Sequence, residues 1–388
     1  MLEDKEKRYF YNHYHSCEYQ LDTYSLFVER GFKLLREGGL LGFIIPSTFL
    51  TMHYFKKFRK FILDNFTIKH IIKFEFYVFE EATVETVIII LEKSKKSKNK
   101  IMSAIIKQED DFFTTKFKKQ ETLQSFFNQG NYEFFINQSL EEVKILEQIS
   151  TNSVTIKKIS KITIGIKPYQ TGKGKPKQTK KIVEERPFDS NFKKDNSYRQ
   201  YVMGKDINRY FIYPKGRWIK YGPWLAEPRP TAPFDSEKIL IRQTADRVIA
   251  VVDNSKFLTL NNIHNLEIIN KSISYKYLLA ILNSKLVNFF YKSIVPEVGR
   301  VFAEVKVVNL EKIPIKNISE IQQQPLIKLA DRMLFLNKQL QEIGDKKTAK
   351  TAKLEEEIKK TDEEIDELVY KLYGITEEEK KIIEESLK

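Results

Sequence analysis

The 388-residue chain has a single cysteine, Cys17, so it can form no intrachain disulfide and a cysteine-rich zinc site is excluded. No window supplies the roughly 18 uninterrupted apolar residues of a membrane-spanning helix. The opening, Met1-Leu2-Glu3-Asp4-Lys5-Glu6-Lys7, is too charged for a secretory signal. His13 and His15 stand near Cys17 without a convincing fourth ligand, and His53, His70 and His264 lie elsewhere, so no metal site is expected. These absences predict a cytoplasmic protein with no membrane partner.

Aromatic residues and positive charge are abundant. With 28 Phe, 19 Tyr and 41% hydrophobic residues, the chain can fill two or three domain cores and is not of disordered composition. A net charge of +14, with pI near 9.3, points to a polyanionic partner. Lysines clustered beside aromatics in expected loops favour nucleic acid over a generally lysine-rich surface.

Hydrophobic periodicity predicts a helix from about Leu21 to Arg36, stopped by Gly38-Gly39. Leu40–Pro46, Thr67–Phe74 and Val84–Leu91 read as strands, with a helix over Phe49–Asp64 between the first two. Helix, strand, helix, strand, strand is the closing portion of an open α/β sheet, too little for a complete one. Ser94–Lys100 is a charged link. Residues 94–155 read as a linker and mixed segment, with a helix at Leu140–Ile149 begun by a Ser139/Glu142 capping box. Residues 156–319 alternate short strands with turns, interrupted by a helix at Tyr275–Phe290, and suggest a β-rich domain. Residues 320–388 read as helical, with an apolar seam of Leu354, Ile358, Ile365, Leu368 and Val369. That seam suits a hairpin packed on its own domain or a coiled-coil arm.

Several segments carry a resemblance when taken in order. Asp22-x-Tyr24-x-x-Phe27, Leu34 to Gly39, Gly42-Phe43-Ile44-Ile45-Pro46-Ser47 and Val84 to Leu91 resemble the part of TaqI-type and fused type IIG adenine-N6 DNA methyltransferases that follows their catalytic motif. Tyr201-Val202-Met203-Gly204-Lys205-Asp206-Ile207, Lys238 to Arg242, Asn261 to Leu266, Leu310 to Ile315 and Ile365 to Gly374 resemble the target-recognition domain and ending of the same enzymes. The resemblance implies a partial Rossmann-like methyltransferase sheet over residues 1–93 that lacks its first strands. A TaqI-like target-recognition domain and C-terminal helices would follow.

The family's glycine-containing S-adenosylmethionine motif and its [Asn/Asp]-Pro-Pro-[Tyr/Phe] loop are not in this sequence. Gly38-Gly39 leaves a helix and enters a strand, the reverse of a cofactor loop, and Gly172-Lys173-Gly174-Lys175 also lacks that context. The resemblance therefore implies S-adenosylmethionine in a complete enzyme, with no cofactor-binding or catalytic residue in this chain and no methylation by the chain alone. It leaves two origins open: a separate polypeptide supplying the methyltransferase half, or a gene remnant or expressed fragment. A non-enzymatic DNA-binding specificity subunit and a helix-mediated interaction protein are the alternatives.

The expected partner is double-stranded DNA. In Pro168 to Lys177, glycines let the backbone approach a phosphate, Lys173, Lys175 and Lys177 neutralise charge, and Tyr169 is a candidate wedge. Arg242 and Gln243 follow a strand-like run and Arg247 comes shortly after; these side chains suit guanine or adenine edges, or pairing with Asp246 or Asp253. Asn261, Asn262 and His264 suit a polar cluster facing DNA or turn capping. Lys205, Arg217, Lys220 and Arg300 are candidate phosphate clamps. Pro46 and Ser47, at a strand end, are a candidate wall for a flipped-base pocket.

Overall fold

Leu40–Pro46 and Thr67–Phe74 are strands with the bounds their apolar runs predict. The computed structural model describes the chain except for residues 1–2, 19–20, 82–83, 96–98, 108–118, 125–126, 128–131, 137–138, 296–302, 345–347 and 388. Arg300 and the middle of the charged link therefore lie outside the described residues. The chain forms two compact units, Met1–Lys144 and Ile145–Lys388.

In the first unit, α1 (Asp4–His13) and α2 (Thr23–Leu34) precede β1 (Leu40–Pro46), followed by α3 (Lys56–Asn65), β2 (Thr67–Phe74), β3 (Thr86–Glu92), β4 (Lys100–Ile106) and β5 (Lys119–Leu123). The sheet order is β1-β3-β2-β4-β5. β3 is antiparallel to both neighbours, with Leu41 opposite Leu91 and Ile71 opposite Ile89, so β1 and β2 run the same way. β4 is parallel to β2, and β5 returns antiparallel. This is a mixed α/β architecture with a partial Rossmann-like sheet. Alternate residues Val87, Ile89 and Leu91 of β3 bury one face against Val28 of α2 and Phe58 and Ile62 of α3.

The helix expected over Phe49–Asp64 begins only at Lys56; two 3-10 turns, Ser47–Leu50 and His53–Phe55, precede it. Fully buried Arg59 supplies the reason, because its Nη1 donates to the carbonyls of Phe49 (2.6 Å) and Met52 (2.8 Å). Burial pulls the Arg59 pKa down to about 10. The link at 94–100 does not end the sheet, since β4 and β5 extend it.

Across the border runs α4 (Leu140–Ser150), with the Ser139/Glu142 box closed at 2.7 and 3.2 Å. The second unit continues with β6 (Ser153–Thr155), α5 (Ile156–Ile159), β7 (Ser160–Ile164), α6 (Lys180–Glu185), β8 (Asp189–Ser190) and β9 (Tyr198–Val202). Then come β10 (Ile207–Asn208), β11 (Phe211–Ile212), β12 (Trp218–Lys220), β13 (Lys238–Arg242), β14 (Ala250–Asp253), β15 (Leu258–Thr259) and β16 (Ile263–Ile268). The rest is α7 (Tyr275–Asn283), α8 (Lys285–Ile294), α9 (Val307–Leu310), β17 (Pro314–Lys316), α10 (Glu320–Ile343), α11 (Ala349–Tyr373) and α12 (Glu377–Ser386). Two four-stranded sheets, β15-β9-β12-β8 and β14-β13-β16-β7, carry the β-rich part.

The single helix expected at Tyr275–Phe290 is two helices, because Ser284 turns out of α7 and its Oγ accepts from Val287 N at 3.3 Å to cap α8. Ile239 and Ile241 of β13 share one core with Leu278 and Leu282 of α7, Leu326 and Ala330 of α10, and Ile365 and Val369 of α11. The structure thus joins residues 156–319 and 320–388, which composition separates. The α10–α11 hairpin buries its seam on its own unit.

A carboxylate cluster fastens that hairpin. Asp362 holds Arg209 at 2.8 and 2.6 Å, and Asp366 accepts from Lys285 N at the start of α8, at 2.8 Å. Burial pushes the Asp366 pKa up to about 6, against the opposing pull of that hydrogen bond. A raised carboxyl pKa means that the folded state keeps a proton which the unfolded chain releases. The associated stability is complete below about pH 4 and is lost as pH rises through about 6. Asp366→Asn keeps the acceptor and removes the titration. Between pH 4 and pH 7 the wild type should lose on the order of 3 kcal/mol relative to that variant in parallel urea melts.

Candidate nucleic-acid interface

The lysine-bearing loop is built to a fixed shape. Gly172 and Gly174 adopt φ of +79° and +87°, and a Cβ on Gly174 would lie 2.5 Å from the Trp224 carbonyl, so a side chain is excluded there. Backbone bonds from Gly172 N to Gln178 O (2.9 Å), Gln178 N to Lys173 O (2.7 Å) and Lys175 N to Pro223 O (2.9 Å) close the loop. Buried Gln178 staples it: Nε2 donates to Pro168 O (2.8 Å) and Trp224 O (2.9 Å), and Oε1 accepts from Gln170 N (2.8 Å). Lys173, Lys175 and Lys177 are exposed, and among the described residues none of them has an ion-pair partner. Three cations held on an ordered backbone can meet successive phosphates at low entropic cost.

Tyr169 does not serve as a wedge. It is 9% exposed and its ring stacks on Phe188 with centroids 5.5 Å apart. The Arg186 guanidinium lies over the ring, and the hydroxyl accepts from Phe188 N at 2.9 Å. Burial raises its pKa, so it stays neutral and supports Arg186 from beneath.

A second group forms where four segments converge. Gln243 N donates to Asn262 O (3.1 Å), Gly204 N to Asn262 Oδ1 (3.0 Å), and Val305 N to Gln243 O (2.7 Å). Arg242 ends β13 opposite Ile263, and its Nε donates to Thr244 O at 2.9 Å, with no carboxylate partner among the described residues. Lys205 and Asn261 are exposed at the same junction. The group therefore combines Arg242, Gln243, Asn261, Asn262 and Lys205. It has the donors and acceptors that base edges require.

Four other candidates are placed differently. Buried His264 presents Nε2–H to Val305 O at 2.7 Å, and burial lowers its pKa, so it is a neutral core residue and not part of a DNA-facing cluster. Arg217 is ion-paired to fully buried Asp206, which also accepts from Met203 N at 2.8 Å. Its charge compensates that carboxylate and is not free to clamp a phosphate. Lys220 lies over the Trp224 ring at 5.1 Å, and Arg247 projects beside its neighbour Asp246 at 3.4 Å. Asp253 instead pairs with Lys238.

Sequence reading missed Gln178 and Asp206, which set the loop and the Gly204 turn. Only Asp206 carried a signal, its place in Gly204-Lys205-Asp206, since a buried glutamine leaves no pattern.

In the first unit, Pro46 pairs with Thr86, and Ser47 N donates to Glu85 O at 2.9 Å. Glu85 and Glu75 both pair with Lys73, at 2.9 and 3.8 Å, and so hold together the ends of the loop between β2 and β3. That loop exposes Tyr77, Val78 and Phe79. Sequence reading did not single them out. The Gly38-Gly39 amides donate to Lys93 O (2.8 Å) and Arg36 O (2.9 Å), so they cannot cradle a cofactor.

The chain matches two family models: the Eco57I restriction-modification methylase over residues 1–79 and the TaqI-like C-terminal specificity domain over residues 199–315. It is 27% identical over 285 residues to RM.MjaORFECS2P of Methanocaldococcus jannaschii, named as a type II restriction enzyme and methyltransferase; the match covers 70% of this chain and 23% of that protein. It is 38% identical over 93 residues to the type II restriction enzyme and methyltransferase RM.Eco57I of Escherichia coli, covering 24% of this chain and 9% of that one. The chain thus spans less than a quarter of either relative. Its fold is similar to the Type IIL restriction-modification enzyme MmeI, solved in complex with DNA, with a TM-score of 0.52 at 12% identity over 92% of this chain and 50% of that one. Among the described residues no helix is long and apolar enough to cross a membrane. The chain is thus similar to Eco57I-like restriction-modification methylases over its first 79 residues and to TaqI-like C-terminal specificity domains over residues 199–315.

Proposed function

We propose that this chain recognises a DNA target within an adenine-N6-specific, S-adenosylmethionine-dependent methyltransferase or type IIG restriction-modification enzyme. The observation that carries this reading is the fixed loop presenting Lys173, Lys175 and Lys177, in the same unit as the Arg242–Gln243 and Asn261–Asn262 junction. The lysines supply sequence-independent charge neutralisation and the junction supplies base readout. The match to a specificity domain over residues 199–315, which takes in that junction, supports it. Buried seam residues on α10 and α11 speak against a helix-mediated interaction protein. Pro46 and Ser47, beside a loop that exposes Tyr77 and Phe79, suit the wall of a pocket for an extruded base.

The residues present do not fit S-adenosylmethionine, so the cofactor and the transfer step belong to another part of the complete enzyme. The purified chain is expected to bind duplex DNA and to transfer no methyl group from radiolabelled S-adenosylmethionine to it. Methyl transfer by the chain alone would contradict the division of labour; absence of DNA binding would contradict the recognition role.

A further inference from the structure

The turn that carries Lys205 is anchored by two ion pairs. The first is local: fully buried Asp206 accepts from Met203 N at 2.8 Å and pairs with Arg217. The second lies at the far end of the β10–β11 hairpin that leaves this turn. Along the hairpin Tyr213 N donates to Asp206 O at 2.8 Å, Ile207 faces Ile212 and Asn208 faces Phe211. Arg209 and Tyr210 form its tip. Tyr210 takes a φ of +67°, uncommon for an aromatic residue, and a buried ring and a bond from its N to Ala250 O (3.1 Å) hold it there.

Arg209 ties that tip to two helices. Its guanidinium meets both carboxylate oxygens of Asp362 on α11, at 2.8 and 2.6 Å, and Nη2 also donates to Asn283 O at the end of α7, at 2.8 Å. Asn283 in turn spans the Ala250 backbone, accepting from its N and donating to its O, each at 3.0 Å. A two-point contact between guanidinium and carboxylate fixes orientation as well as distance.

An unbroken series of pairings therefore runs from Asp362 through Arg209 and the hairpin to the turn. The turn then reaches the junction, where Gly204 N donates to Asn262 Oδ1 at 3.0 Å. Beneath it, Ile207 shares a buried cluster with Leu240 and Ile263, against which Leu334 of α10 packs. Asp362 lies beyond residues 199–315, the stretch similar to a specificity domain.

We propose that Asp362 is a positioning residue for target recognition: through Arg209 it sets where the Gly204–Asp206 turn holds Lys205 and Asn262. That these two residues meet DNA rests on the function proposed above; the link from Asp362 to the turn does not. Asp366, one helical turn further along α11, supplies the contrast. It accepts from Lys285 N at 2.8 Å and so anchors α8 and not the hairpin.

The test compares the full chain with Asp362→Ala, the milder Asp362→Asn and Asp366→Ala. Affinities are measured below every melting temperature, for random duplex and for the sequence that the wild type prefers. Asp362→Ala should lower the ratio of preferred to random affinity by about tenfold. Affinity for random duplex should stay within about twofold, because the 172–177 lysines are untouched. Asp362→Asn keeps one acceptor and should lower the ratio by about threefold. Asp366→Ala should lower the melting temperature and leave the ratio as it was. Without DNA, the Gly204 and Asp206 amides should exchange about tenfold faster in Asp362→Ala than in Asp366→Ala. The proposal is overturned by a ratio that both Asp362 variants leave unchanged, or by an equal fall in Asp366→Ala, which would make the effect one of stability. If the wild type prefers no sequence, the recognition role fails and exchange decides the link: equal rates in the two alanine variants overturn it, and faster exchange in Asp362→Ala upholds it. Should Asp362→Ala not fold, Asp362→Asn carries both comparisons.

Discussion

Lys238→Met is expected to destabilise the second unit by about 3–5 kcal/mol and to lower its melting temperature by on the order of 10 °C. Lys238 Nζ and Asp253 Oδ2 are 2.6 Å apart, and both side chains are 0% exposed. They face each other across the β13–β14 ladder. Asp253 also accepts from Ser255 N (2.7 Å) and Phe257 N (3.1 Å), which shapes the turn into β15. Removing the ammonium strands a carboxylate in a dry interior, where an uncompensated charge costs far more than the intact pair contributes. The companion variant Lys238→Met/Asp253→Asn, which removes the stranded charge and keeps an acceptor for the turn amides, should recover part of the loss. Thermal and urea melts of the two variants check this. A loss below about 1 kcal/mol for Lys238→Met would contradict the burial of the pair.

The second large effect separates charge neutralisation from base readout. Replacing Lys173, Lys175 and Lys177 together by alanine should weaken binding to every duplex. It should make the dependence of log K on log salt shallower by about 2.7, from three phosphate contacts at about 0.9 each. Arg242→Ala should instead cost about 1–3 kcal/mol on the preferred sequence, with little loss on random duplex. Measuring both variants on both duplexes across salt distinguishes the roles. A triple variant that changes only the preferred sequence, or an Arg242 variant that weakens all sequences equally, would exchange the assignments.

Much of the fold was legible because it rests on local chemistry. The apolar runs at Leu40–Pro46 and Thr67–Phe74 gave their strand bounds, and Ser139/Glu142 marked the start of α4 by capping-box spacing. What was not legible depends on distant partners. Periodicity carried a helix through Phe49 because nothing local announces that Arg59 will take the carbonyls of Phe49 and Met52. Likewise Tyr275–Phe290 reads as one helix until Ser284 caps a second.

The same limit applied at the site. Solvated lysines of the 172–177 loop could be picked out by type and spacing. Arg217 and His264 look equally free in sequence, but one answers a buried Asp206 and the other a carbonyl at Val305. Residue type proposes a ligand contact; only burial and pairing decide whether the group is available.

Target recognition by this chain is tested most directly by DNA binding of the purified protein over a salt series, with random competitor duplex present. The account predicts tight binding with a preferred sequence that survives competition, and a steep salt slope set by several phosphate contacts. Binding that random duplex removes completely, at the strength of any basic protein of this charge, would contradict it.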